Sequence, residues 1–194
     1  MPTPPQEELG RTPDGCAAER ALVHEGPVFG VRRVDYRLQD GREVRKEFIE
    51  HPGAVTVVPE DVDGTILMVR VGRIAVKRFL LEFCAGKLEP GEQPMAAALR
   101  ELEEEVGRRA SEIRPLGGYL TSPGCSDERI HAFRASGLHE IPSRLEAGEE
   151  IEVVRLTPDQ IDDSIANGEI EDGKTIAAWF LHKQDRARSE DRTS

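Results

Sequence analysis

Residues 86–107 read GKLEPGEQPMAAALRELEEEVG, and their spacing decides how the chain folds and what it can do. Five residues separate Gly86 from Glu92, and seven separate Glu92 from the run Arg100-Glu101-Leu102-Glu103-Glu104-Glu105-Val106-Gly107. Pro94 suits the first turn of a helix and Gly107 its C′ position, so the pattern predicts a helix over about 94–106. On that helix Glu101 and Glu105 are i, i+4 neighbours and Glu104 is i+3 from Glu101, which gathers three carboxylates on one edge. Met95, Leu99, Leu102 and Val106 are expected to bury the opposite face. Like charges at this spacing repel, and Mg²⁺ or Mn²⁺, shared with phosphate oxygens, relieves that repulsion. Arg100, four residues before Glu104, is placed to orient it.

Upstream, an alternating stretch over 28–50 puts Val34, Tyr36 and Leu38 on one side of a strand, and Val44 and Phe48 continue the pattern. Asp40-Gly41 between the two runs predicts a hairpin. AVTVV (54–58), a turn at Asp63-Gly64 and TILMVR (65–70) predict a second hairpin, its β-branched runs covered on both faces. FLLEFCA (79–85) is a further apolar run. Downstream, strands are expected at 113–120, 129–135 and 151–156, and helices at 158–167 and 173–183. Strands before, between and after a few helices indicate a mixed α/β sandwich, not a regular βαβ repeat.

Of the 194 residues, 37 are Asp or Glu and 26 are Lys or Arg, a net charge of −11 that argues against a basic nucleic-acid groove. Three cysteines (Cys16, Cys84, Cys125) without a CxxC pattern exclude a disulfide scaffold and fit a reducing compartment. The N-terminal MPTPPQEELGRTPDG has neither the basic nor the apolar segment of a signal peptide, and no window approaches 18 apolar residues. The expectation is therefore a cytoplasmic protein with no membrane partner. Histidines 24, 51, 131, 139 and 182 share no HxxxH spacing, so zinc catalysis finds no ligand set. Gly117-Gly118 lacks the Lys-Ser/Thr of a phosphate loop.

The 86–107 segment resembles the Nudix box, the loop–helix–loop signature of enzymes that hydrolyse nucleoside diphosphates linked to another moiety. Arg108 stands at its last, ordinarily aliphatic position. EHPGAVTVVP, FCAGKLEPGE, SPGCSDE (122–128, with Pro123 sixteen residues beyond Gly107) and EDGKTIAAW (171–179) are similar to the ADP-ribose pyrophosphatase branch. The resemblance spans about residues 28–182. It implies an α/β (α+β) fold, a Nudix-type α/β/α sandwich of mixed sheet with an N-terminal β-hairpin or strand extension.

It further implies that Glu101 and Glu105 are the principal metal ligands, that Glu104 shares a metal or activates water, and that the Ala85 carbonyl completes the shell. Glu128 matches the glutamate that closes over the diphosphate as base or water-positioner. Arg73, last in VRVGR (69–73), matches an arginine that contacts diphosphate or ribose, although Val71 and Gly72 stand where the family usually has Gln and Tyr. Lys46 and Glu47 belong to Arg45-Lys46-Glu47, which matches a basic-basic-acidic run that in the family reaches the active site of the other subunit. Phe29 or Tyr36 would stack a base, or else fill core or hairpin.

The implied organisation is a flexible arm at 1–15, a dimer-forming strand region at 16–50, a hydrolase domain at 51–183 and a flexible tail at 184–194. The implied activity is Mg²⁺-dependent hydrolysis (Mn²⁺ also serving) of the diphosphate in ADP-ribose or a related nucleoside diphosphate sugar. The products are AMP, or another nucleoside monophosphate, and a sugar phosphate, and the enzyme is a homodimer. Alternative substrates are GDP-mannose, UDP-glucose or a dinucleoside polyphosphate. A reading from another class is a nucleotide-sensing module that leaves its ligand intact.

Overall fold

Arg20–Glu25 (β1), Gly30–Arg37 (β2) and Glu43–Glu50 (β3) form an antiparallel sheet in the order β1-β2-β3. In the computed structural model, residues 20–26, 29–38, 40–145 and 150–191 are described. The proposed arm at 1–15, Cys16 and residues 192–194 lie outside them. Asp40-Gly41 closes β2 onto β3 as its turn chemistry requires: Gly41 has φ +86°, and Leu38 N–H donates to Arg42 O at 2.8 Å. β1 falls within the 16–50 region read as strand, but the sequence reading does not delimit it as a strand of its own. Its adjacent Leu22 and Val23 lack alternation, and a bulge between Leu22 and His24 sets its pairing with β2. The segment Ser122–Glu128 belongs to this same compact unit, with Ile49 N–H bonded to Cys125 O at 2.8 Å and His51 N–H to Asp127 Oδ1 at 2.9 Å.

The second compact unit comprises residues 52–121 and those from Arg129 onward. Ala54–Pro59 (β4), Ile66–Arg73 (β5), Arg78–Glu82 (β6) and Ala85–Lys87 (β7) precede helix Pro94–Val106 (α1). Arg108–Leu120 (β8), Arg129–Glu140 (β9), Ile151–Leu156 (β10), Pro158–Ala166 (α2) and Gly173–Asp191 (α3) follow. One sheet runs β7-β4-β9-β8, with β4 and β9 parallel, and a second runs β10-β5-β6. β4 is buried along its whole length, and its alternation divides it between two cores. Val55 and Val57 pack with Ala97, Ala98 and Leu102 of α1, whereas Val58 packs with Ile161 of α2 and with Ala178 and Trp179 of α3. β5 divides the same way, Leu67 and Val69 against Ile66 and Met68. The architecture is a helix–sheet–helix sandwich of mixed strands.

Several expectations are corrected. β4 and β5 are not a hairpin. The turn forms, with Gly64 at φ +80° and Asp63 Oδ1 accepting from Thr65 N–H, but β7 and β9 occupy both edges of β4, and β5 joins the other sheet. The FLLEFCA run divides between β6 and β7. Met95 is 45% exposed and the buried face of α1 is Ala97, Ala98, Leu102 and Val106, because small alanines let the helix approach the sheet closely. α3 continues to Asp191, through residues read as tail. The ends of α1 match the sequence reading: Pro94 lies in its first turn, and Gly107 has φ +64° with its N–H on Leu102 O. Arg108 opens β8, paired with Glu140.

Candidate active site

The chain leaves β6 through Phe83 and Cys84 and runs along β7, and it is against this segment that the acidic edge of α1 lies. Ala85 N–H donates to Glu105 Oε2 at 3.1 Å. The Glu101 carboxylate fills the space beside Gly86, where a Cβ would fall 1.7 Å from Oε1. Glu101 and Glu105 are 8% and 9% exposed, unusual burial for carboxylates. Glu104, one position around the helix, is half-buried.

Arg100 ties this edge together. Its Nη1 donates to Glu101 Oε1 at 2.6 Å and Glu104 Oε2 at 3.1 Å, while Nε and Nη2 each reach Glu92 at 3.0 Å and Nη2 reaches Lys87 O at 3.2 Å. The bonds to Glu92 first, and those to Glu101 and Glu104, raise the proton affinity of the guanidinium. Glu92 is held below its ordinary pKa, chiefly by Arg100. The expected Arg100–Glu104 contact is thus one part of a fork spanning three carboxylates, a geometry the planar guanidinium can meet and an ammonium cannot.

Among the described residues no group of three or more His, Cys, Asp and Glu side chains is gathered as a formed metal site. The residues nonetheless fit a hard divalent cation. They supply oxygen donors only, they come from one helical turn, and the missing side chain of Gly86 leaves the cradle that Glu101 enters. Cys84 is a poor competitor as nucleophile, since burial, and then the charges of Glu105 and Glu101, push its thiol well above its ordinary pKa.

Arg73 is exposed, with one edge of its guanidinium held by an acid. Its Nε and Nη2 donate to Glu82 Oε1 and Oε2 at 2.8 and 2.6 Å. Glu82 is 1% exposed and also accepts from Lys174 Nζ. Burial works to raise the Glu82 pKa, but the Arg73 bonds and the Lys174 ammonium outweigh it and hold the carboxyl below its ordinary value. Sequence reasoning missed Glu82 and Lys174. The available signal was a lone acid inside the apolar run FLLEFCA, a position that demands a cation.

The remaining candidates belong to the first compact unit. Lys46 and Glu47 are exposed on β3, opposite Val34 and Arg33, and Phe29 is 44% exposed just before β2. Tyr36, with Asp35, Glu43, Val44 and Arg45, lines a cleft of about 470 Å³. Glu128 is half-buried with Oε1 3.5 Å from His51 Nε2, and its N–H donates to Ser126 Oγ.

Comparison with known proteins adds the following. A family model described as NUDIX domain matches residues 50–179. The chain is 36% identical over 158 residues to an ADP-ribose pyrophosphatase of Bacillus subtilis (strain 168), covering 80% of this chain and 85% of that protein. It is 37% identical over 166 residues to the methanol dehydrogenase activator of Bacillus methanolicus, covering 84% and 90%. It is 43% identical over 120 residues to an ADP-ribose pyrophosphatase of Mycobacterium tuberculosis (strain ATCC 25618 / H37Rv), covering 61% and 58%. A crystal structure of an ADP compounds hydrolase shares the fold, with TM-score 0.76 at 24% identity over 86% of this chain and 90% of that one.

Proposed function

The chain belongs to the NUDIX family, and from that premise we propose that it is a Mg²⁺-dependent hydrolase that cleaves ADP-ribose to AMP and ribose 5-phosphate. The acidic edge of α1 against Ala85 and Gly86 carries this reading, because it presents hard oxygen donors where a diphosphate and a divalent cation can meet. The ADP-ribose pyrophosphatases of B. subtilis and M. tuberculosis support the choice of substrate.

Glu101, Glu104 and Glu105, with the Ala85 carbonyl, hold the cation. When bound, Mg²⁺ supplies neutralisation of diphosphate charge and acidifies a water molecule. Arg73 orients the diphosphate through N–H groups that Glu82 does not use. Glu128, or Glu104, accepts the proton of the attacking water, whose oxygen bonds to phosphorus as the phosphoanhydride bond breaks. Lys46 and Glu47 contact substrate, and Phe29 stacks the base. Residues 16–50 form the dimer contact and 51–183 the catalytic domain. The exposed Leu22 and Val23 on edge strand β1 favour a homodimer. No helix among the described residues is long and apolar enough to cross a membrane.

The test is hydrolysis of ADP-ribose, UDP-glucose, GDP-mannose and a dinucleoside tetraphosphate with Mg²⁺, with products resolved. Preferential release of AMP and ribose 5-phosphate is expected. Preference for another member of the panel overturns the substrate. Ligand bound but recovered intact overturns the catalytic reading altogether.

A further inference from the structure

Glu82 is the most deeply buried acid among the described residues, and two cations converge on it. Arg73 takes both oxygens with its fork, and Lys174 Nζ adds a bond to Oε2. Lys174 comes from the first turn of α3, and its own geometry is held: Nζ also donates to Asp172 Oδ2 at 2.9 Å. That same oxygen accepts from Thr175 N–H and Oγ1 at 2.9 and 2.6 Å, so Asp172 caps the helix and anchors the lysine together. Thr175 Oγ1 in turn accepts from Phe83 N–H at 3.1 Å. The start of α3 therefore grips two consecutive residues, Glu82 and Phe83, immediately before the Cys84–Ala85 segment that meets Glu105. Glu105 and Asp172 both act electrostatically on Arg73.

An arginine offers five N–H donors, and Glu82 takes two of them here. How firmly it holds them depends on how its single negative charge is shared. We infer that Lys174 is a positioning residue for Arg73: by sharing Glu82, it keeps the guanidinium oriented yet available to an anionic diphosphate. The inference rests on the proposed role of Arg73 as a diphosphate contact. Without the ammonium, the whole charge of Glu82 falls on Arg73, and Asp172 loses the cation that helps fix the α3 cap. The substrate then competes against a tighter ion pair, which weakens its binding more than it slows chemistry.

The experiment measures kcat and KM for wild type, K174M and K174R on whichever member of the substrate panel wild type cleaves, together with the Kd of α,β-methylene-ADP-ribose by calorimetry. For K174M, KM and Kd rise about tenfold with kcat within about twofold, and K174R recovers most of the loss. The E82Q background removes the charge to be shared without leaving a buried carboxylate uncompensated, so E82Q/K174M is expected to match E82Q alone. Unchanged KM and Kd in K174M, or a further full loss in E82Q/K174M, overturns the inference while leaving the activity in place. A wild type that neither binds the analogue nor cleaves any member of the panel overturns the proposed function, and this inference with it.

Discussion

The Glu101 carboxylate occupies the volume that any side chain at position 86 would need: a Cβ built on Gly86 lies 1.7 Å from Oε1 and 2.0 Å from Cδ. The backbone at Gly86 is fixed, whereas the Glu101 carboxylate is held in place by a side-chain bond. β7 pairs with β4 at this point, and Arg100 Nη1 holds Glu101 at 2.6 Å. The glycine therefore matters for the space it leaves, its backbone lying outside the positive-φ region.

G86A is consequently expected to fold and to lose activity. The added methyl displaces the Glu101 carboxylate, which can swing because it terminates a flexible side chain, so stability falls by only about 1–2 kcal/mol. Turnover should fall at least about 100-fold and half-saturating Mg²⁺ should rise. Metal-dependence curves for the variant check this, and an unchanged curve rules out Glu101 as a ligand.

E105Q separates charge from hydrogen bonding. The Gln carbonyl oxygen still accepts the Ala85 N–H, so the contact between α1 and β7 persists and thermal unfolding should move little. Activity should drop by more than about 100-fold, because the proposed metal ligand loses its charge. Near-normal turnover sinks the assignment of Glu105.

Substituting Arg100 tests the fork. R100K keeps a positive charge on α1 but cannot bridge Glu92, Glu101 and Glu104 at once. Metal affinity is expected to weaken about 10- to 100-fold in R100K, with R100A destabilised further as three carboxylates lose their common partner. Equal affinity in wild type and R100K would leave charge alone as the requirement.

His182 gives the fold a pH dependence outside the site. It is fully buried, stacked on Trp179 at 5.1 Å, and lies 3.8 Å from Glu60. Burial lowers its pKa from 6.5 to about 4, Glu60 opposing the shift and Arg134 and Arg186 adding to it. Above pH 6.5 the ring is neutral in both states. Between pH 6.5 and 4 the unfolded chain takes up a proton that the folded chain refuses, and stability should fall by about 3 kcal/mol. Urea midpoints from pH 7.5 to 4.5 should show this slope in wild type and a shallower one in H182F. Parallel slopes exclude the histidine as its source.

Contiguous residues settle a good deal of this protein. The Asp40-Gly41 hairpin follows from a local φ requirement, and α1 between Pro94 and Gly107 follows from helical periodicity with both ends signalled. The placement of Glu101, Glu104 and Glu105 on one edge is a consequence of 3.6 residues per turn and needs no tertiary information. Arg73 was legible as an important cation, but not its partner. β4 was legible as a buried strand, but not which strands it joins, since pairing is chosen by edges that distant segments compete to fill.

The amino-acid sequence alone thus determined the helix, its acidic edge and the glycine before it, because those properties arise within one short span of chain. Tertiary structure alone decided that Glu101 nests against Gly86 and that Glu82 is shared between Arg73, nine residues away, and Lys174, 92 residues away. The reason is physical. A buried carboxylate must find cations wherever packing brings them, and no local periodicity records which ones arrive.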